Sequence, residues 1–453
     1  MKVSQILDAF GVNGLENLRE VHVTGLETDS RRAGQGTVFF ALSGQRSDGH
    51  HFLDEVRQKG AALCFISDNT FMEKRNDFCV LVDDVIGALG TCAKLKRAEM
   101  TETIFAGVTG SCGKTSTKEI LAAFLSVFRK TQKTEGNFNN HLGVPLTLGR
   151  LEPDTQHAVI EMGMNHPGEI DYLSSISRPQ VAIISSIAPV HLEGVGDIQG
   201  VRSAKAEIIN HMASGSILVC PESESWIIEK AKNSGICVVT FGLGKGDFAV
   251  SEVWVGLAST RFTLKWPEGE MYIKLSLAGT HQALNTAAAL AAVHSLGLDI
   301  KSCKSASERI SLPGERNSVS EINGITIFND SYNSSPSSLK SVMEMINGLE
   351  GFNRKILLIG EMLELGEQSG YLHRQAGKDA AAIRPHFVFW VGGFFEEFKT
   401  GYGDERLMHL RGENAAKTVS DYLKSGDLLL IKASHGTGLS EVHEKLVRLI
   451  KAK

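Results

Sequence analysis

The chain has 453 residues, enough for about three domains at roughly 150 residues each. With 22% charged and 42% hydrophobic residues it has an ordinary globular composition, which excludes a largely disordered protein. Lys+Arg 47 against Asp+Glu 52 leaves a net charge of −5, so no nucleic acid and no anionic membrane surface is an expected partner.

The N-terminal stretch carries Asp8, Glu16 and Glu20, where a signal peptide needs an unbroken apolar run. No uncharged apolar run reaches the ~18 residues that span a bilayer. The 7 cysteines are scattered, without a C-x-x-C, which fits a reducing cytosol rather than a disulfide scaffold. A cytoplasmic protein without membrane insertion is expected. A break near Asp83–Asp84 precedes a helical stretch leading to a strand at Thr103–Val108. Strands at Ala158–Glu161, Val181–Ser185 and Ile217–Cys220 then alternate with amphipathic helical stretches. That pattern predicts an α/β fold with a doubly wound, mostly parallel sheet. Between Phe248 and Leu277 the apolar residues alternate instead, as in antiparallel strands at a sheet edge. Leu312-Pro313-Gly314 marks a second break, and Lys355–Ile359, Phe387–Val391 and Leu428–Lys432 are strands beyond it. The expected domains are 1–84, 85–313 and 314–453.

The sharpest local signal follows the Thr103 strand: Thr109-Gly110-Ser111-Cys112-Gly113-Lys114-Thr115-Ser116, then a helix with Ile120, Leu121, Phe124 and Leu125 on one face. Glycines let backbone N–H groups curl around a phosphate, and the helix N-terminus adds partial positive charge. Lys114 is placed to reach the β/γ-phosphates and Thr115 to hold Mg²⁺ by its hydroxyl. The full G-x-x-x-x-G-K-[ST] pattern is not met, because Val108 stands where the first Gly belongs and Gly107 is one place early. The flanking strand and helix oppose a chance G-K-T. The loop alone leaves kinase, GTPase, ATPase and ligase open.

Downstream, Glu161 ends a strand, His191 follows the next one, and Lys205 stands on a helix. Polar groups at the C-terminal ends of consecutive parallel strands converge on the crevice where such sheets bind ligands. Glu161 and His191 are therefore sensible ligands for a second Mg²⁺ bridging the γ-phosphate and an acceptor oxygen. Singly, His191 reads as a polar loop residue and Lys205 as a solvated helix charge.

Together and in this order with the loop, these residues resemble the ATP-dependent Mur ligases of peptidoglycan synthesis. The resemblance continues through Thr134–Pro145, Gly279–Asn285, Gly314-Glu315-Arg316 and Asp330–Pro336. It implies nucleotide contacts from Asn285, Arg316, Asp330 and Asn333, besides the loop residues Thr109 to Ser116. Thr28-Asp29-Ser30-Arg31, Phe39–Gly44 and Asp48–Phe52 resemble the family's UDP-sugar domain. Implied substrate contacts are Ser30, Arg31, Gly44, Asp48, Gly49 and His50, with Asn137, Asn139 and Asn140 from the central domain. The implied fold has a small N-terminal α/β domain, a central phosphate-loop domain and a Rossmann-like C-terminal domain.

Within the family, D-S-Y-N followed by Gly360–Gly366 most resembles the last ligase of the series, which joins D-alanyl-D-alanine to UDP-N-acetylmuramoyl-tripeptide. The preceding ligase, which adds the third residue, typically carries D-N-P-R, and that string is absent. It is the alternative reading, with a nucleotide-binding regulator as another. The implied route is an acyl phosphate, served by Lys114, Glu161, His191 and Lys205. Two Mg²⁺ are implied, the first on Thr115 and Glu161, the second on His191, with Lys205 carbamylated as an anionic oxygen ligand. A monomer is expected. Departures from the family pattern are Gln282 for Asn, Ser334-Ser335 for Ala-Asn, and Ala433-Ser434-His435 for Gly-Ser-Arg.

Overall fold

The computed structural model describes residues 1–45, 47–72, 75–190, 192–411 and 414–453. The first sheet runs β1 (Gly25–Glu27), β2 (Thr37–Phe40), β3 (Leu63–Ile66) and β4 (Cys79–Leu81), all parallel and in that order. β2 and β3 are buried throughout, so TVFF and LCFI are continuous apolar runs rather than alternating ones. Asp84 then accepts the Ile86 N–H and starts the helix Val85–Glu99. Leu89 and Cys92 of that helix belong to one apolar core that runs from Val3 and Phe40 to Ile160 and Leu218. The N-terminal sheet is thereby packed onto one face of the next.

The central sheet holds β5 (Ile104–Thr109), β6 (Thr131–Lys133), β7 (His157–Glu161), β8 (Val181–Ile184), β9 (Ile217–Pro221), β10 (Cys237–Leu243), β11 (Phe248–Val255), β12 (Thr260–Trp266) and β13 (Gly269–Leu275). Their order is β13-β12-β11-β10-β9-β8-β5-β7-β6. Only the β11–β12 and β12–β13 pairs are antiparallel, at the edge where the alternating pattern placed them. Along β12 the side chains alternate between core and solvent, as a half-exposed edge requires. On the second face the phosphate-loop helix Lys114–Leu125 packs against the helix Thr280–Ser295, whose run of buried alanines allows close approach. β6 and β10 were not expected: β6 is a polar edge strand of three residues with no periodicity to detect.

The third sheet contains β14 (Ser318–Ile322), β15 (Ile325–Asn329), β16 (Arg354–Gly360), β17 (Phe387–Val391), β18 (Leu407–Leu410) and β19 (Asp427–Lys432), in the order β14-β15-β19-β16-β17-β18. Only β14 is antiparallel to its neighbour, through a hairpin whose turn residues Asn323 and Gly324 both have positive φ (51° and 73°). The architecture is the three-sheet, mostly parallel α/β fold expected. Among the described residues no helix is long and apolar enough to cross a membrane.

Candidate active site

The phosphate loop is shaped by its glycines and pinned by the segment after β8. Gly113 has φ 83°, and a Cβ on it would lie 2.6 Å from Asn285 Oδ1, so only glycine fits above that buried amide. Ser111 Oγ donates to the Ala188 carbonyl at 2.9 Å, while the Ser185 and Ser186 hydroxyls both donate to the Cys112 carbonyl, at 2.6 and 3.0 Å. Lys114 Nζ curls back and donates to the Gly110 carbonyl at 2.8 Å. Among the described residues its partners lie inside its own loop, which leaves the ammonium transferable to an incoming phosphate.

β7 delivers Glu161 to the foot of this loop. Its carboxylate is 1% exposed, and Oε1 accepts from Thr115 Oγ1 at 3.2 Å and from Asn139 Nδ2 at 2.8 Å. Oε2 accepts no hydrogen bond from the described residues, though Lys118 Nζ is 3.6 Å away. Lys118 is fully buried and donates to the Thr134 and Gly136 carbonyls at 2.9 and 3.2 Å, so it ties the Thr134–Asn140 segment to the loop helix. Sequence reasoning passed over Lys118; its one signal is its place a helical turn after Lys114.

Lys205 does not line the cleft. It is 0% exposed, and its Nζ has no hydrogen-bond partner among the described residues. Burial pushes its amine well below the usual lysine range, and the Lys114 ammonium acts in the same sense. A solvated helix charge is thus excluded. Burial without a partner favours the neutral amine, which is the form that adds CO₂. His191 lies outside the described residues. Among the described residues no three His, Cys, Asp or Glu cluster into a metal cage. Thr115 and Glu161 are instead an oxygen pair of the kind Mg²⁺ takes together with phosphate oxygens and water.

A cleft of about 760 Å³ opens above the loop, between the central and C-terminal sheets. It brings together Ser111–Ser116, Asn137, Asn139, Asn140 and Glu161 with Arg316, Asp330 and Asn333. The Arg316 guanidinium lies 3.3 Å over the Tyr332 ring. Lys432 Nζ donates to Asp330 Oδ2 at 2.6 Å and to the Asn333 carbonyl at 2.9 Å. Cys112 Sγ stands 3.3 Å from Ser335 Oγ, the residue that caps the helix Pro336–Gly348. The C-terminal domain therefore aims a helix N-terminus at the phosphate loop. Gln282, longer than the usual Asn, reaches Ser116 Oγ at 3.4 Å and accepts from Asn285 at 3.2 Å. Thr109 and Asn285 are buried beneath the loop rather than in the cleft.

The N-terminal residues form a separate group. His50 is buried; its Nε2 accepts the Ser67 N–H at 3.1 Å, so Nδ1 carries the proton donated to Asp48 at 2.6 Å. The His50 backbone N–H and then its ring hold the Asp48 carboxyl below the usual range. A Cβ on Gly49 would lie 2.8 Å from Leu42 N, and the Gly44 N–H is bonded to the Ser47 carbonyl. These four residues build a rigid loop. Ser30 is nearly buried and Arg31 exposed, its guanidinium forked on Asp29, whose carboxyl it lowers to about 2. None of the six lines the central cleft.

Three family models match in succession: the Mur ligase family catalytic domain at 22–97, the Mur ligase middle domain at 108–293, and the Mur ligase glutamate ligase domain at 316–435. The UDP-N-acetylmuramoyl-tripeptide–D-alanyl-D-alanine ligase of Bacillus subtilis is 33% identical over 94% of this chain and 93% of its own. The MurF of Acinetobacter baumannii superposes with a TM-score of 0.84 at 29% identity, covering 93% of both chains. The MurF ligase of Thermotoga maritima, solved in complex with ADP, also gives 0.84, at 28% identity over 95% of this chain and 98% of that one. The chain belongs to the Mur ligase family.

Proposed function

We propose that this protein is an ATP-dependent amide ligase that joins D-alanyl-D-alanine to UDP-N-acetylmuramoyl-tripeptide in cytoplasmic peptidoglycan precursor synthesis. The observation that carries the reading is full-length similarity to ligases of that name, together with a phosphate loop that faces a C-terminal domain across one cleft. In this reading 1–84 binds the UDP-sugar, 85–313 the nucleotide, and 314–453 closes the cleft.

Amide formation needs the carboxylate oxygen turned into a leaving group. The peptide carboxylate attacks the γ-phosphorus, ADP leaves, and the amine of D-alanyl-D-alanine displaces phosphate from the acyl phosphate. Phosphoryl transfer between two anions is mostly a problem of charge. Lys114 swings from the Gly110 carbonyl to the β/γ-phosphates, and Arg316 adds positive charge from the opposite wall, where Lys432 is already paired with Asp330. Thr115 and Glu161 would hold Mg²⁺, with His191 at a second ion, and this metal supplies neutralisation of the phosphate charge. Lys205, carbamylated, would present oxygens in place of its orphaned amine. Asn139 holds the Glu161 carboxylate in place.

Phosphate release is the test, with UDP-N-acetylmuramoyl-tripeptide, Mg-ATP and D-alanyl-D-alanine. Turnover is expected with this pair and not with UDP-N-acetylmuramoyl-dipeptide plus a diamino acid. The reverse preference would make the protein the third-residue ligase, and turnover with neither would leave a nucleotide-binding regulator.

A further inference from the structure

At the junction of the N-terminal and central domains lies a charge network that the ligase chemistry does not use. Glu27, the last residue of β1, is almost fully buried and is gripped by both arms of Arg150: Nε to Oε1 at 2.9 Å and Nη2 to Oε2 at 2.7 Å. Arg32 adds a longer contact to Glu27 at 3.6 Å. Glu135 bridges the two cations, 3.7 Å from Arg32 and 3.8 Å from Arg150 Nη1, a buried nitrogen with no hydrogen bond among the described residues. The backbones meet closely beside it, since a Cβ on Gly149 would lie 2.5 Å from Leu26 Cβ. An isolated buried ion pair adds little net stability. Its position is more informative than its strength.

Glu27 leads directly into Thr28-Asp29-Ser30-Arg31, with Arg32 next. Glu135 opens the segment that carries Asn139, the donor to Glu161. The network therefore links the start of the UDP-sugar loop to the loop that holds the phosphate-transfer carboxylate. We propose that Glu27 and Arg150, bridged by Arg32 and Glu135, are positioning residues that set the register of the substrate domain on the phosphate-transfer centre. The proposal rests on the ligase reading above. Its logic is geometric: each substrate can bind its own domain, but transfer needs carboxylate and γ-phosphorus within about 3–3.5 Å. A bidentate fork fixes angle as well as distance, which a point charge does not.

The experiment compares wild type with Arg150→Met, Arg150→Lys and Glu135→Gln. Binding of ADP and of UDP-N-acetylmuramoyl-tripeptide is measured separately by calorimetry, and turnover by phosphate release. Arg150→Met should lose about 10- to 100-fold in kcat, the scale of an ångström-sized misplacement, while both dissociation constants stay within about twofold. Arg150→Lys should recover only part of the rate. If Arg150→Met gives no cooperative thermal transition, Glu135→Gln carries the test, because that side chain is 66% exposed. It should lower kcat about 3- to 10-fold with both affinities kept. A folded Arg150→Met enzyme, or in its absence Glu135→Gln, with wild-type kcat overturns the proposal. So does a loss of kcat matched by an equal loss of ADP affinity, which marks damage to the fold. Wild type without turnover overturns the ligase reading, and this proposal with it.

Discussion

Replacing Lys205 by Met should make the protein more stable and nearly inactive at once. The amine is fully buried with no hydrogen-bond partner among the described residues, on a helix that packs Val201, Ala204 and Ala206 into the core. Burying an unpartnered polar group costs about 1–3 kcal/mol in protein mutational series, and Met fills nearly the same volume without that cost. In metal-free buffer without bicarbonate, the gain should raise the transition of the central domain by about 2–12 °C, at about 2–4 °C per kcal/mol for a unit of that size. The sign with pH is fixed by the depressed amine. Below the usual 10.5 the unfolded chain binds a proton that the native state refuses, so wild-type stability rises with pH from the lowered native value up to about 10.5. Lys205→Met should flatten that slope. On the proposed carbamate, turnover should fall by at least about 10²-fold, through loss of an anionic oxygen ligand to the phosphoryl-transfer metal. Scanning calorimetry across pH, paired with phosphate release, measures both arms. A less stable Lys205→Met, or one within about threefold of wild-type turnover, would refute the reasoning.

Lys114→Ala should reduce ligation by about 10²–10³-fold or more with an unchanged melting profile, since among the described residues its ammonium bonds only within its own loop; near-normal turnover would remove the phosphate-loop assignment. Cys112, partly exposed in the loop and facing Ser335, should be alkylated by a small reagent with loss of activity, and Mg-ATP should protect it. Cys112→Ser should stay active and resist the reagent, and peptide mapping that finds label on Cys112 in active enzyme would sink the idea. Gly49→Ala should cost about 1–3 kcal/mol, because its Cβ meets the backbone of Leu42 and Ala41, which cannot yield as a side-chain tip would. The same variant should raise KM for the UDP-substrate and leave KM for ATP unchanged, as steady-state kinetics would show.

Much of this architecture is written locally in the chain. A strand, two glycines, Lys114-Thr115 and an amphipathic helix are neighbours in sequence, and the forces that shape them act over a turn or two. The antiparallel edge from Phe248 to Leu277 was legible for the same reason, since alternation records a half-exposed strand. The break near Asp83–Asp84 was legible too, and there the Asp84 side chain caps the helix Val85–Glu99 through a partner two residues on. The order of motifs then named the family.

Burial was not written there. A lysine on a helix reads as a solvated charge, and only the packing of other elements around it strips Lys205 of water and partners. His50 falls in a substrate-domain motif, yet the fold spends both of its ring nitrogens on Asp48 and Ser67. Cys112 meets Ser335 across 223 residues, and Glu27 meets Arg150 across 123. No periodicity carries such pairs. Desolvation and ion pairing are sums over every group within a few ångströms, and for these residues most of those groups arrive from elsewhere in the chain.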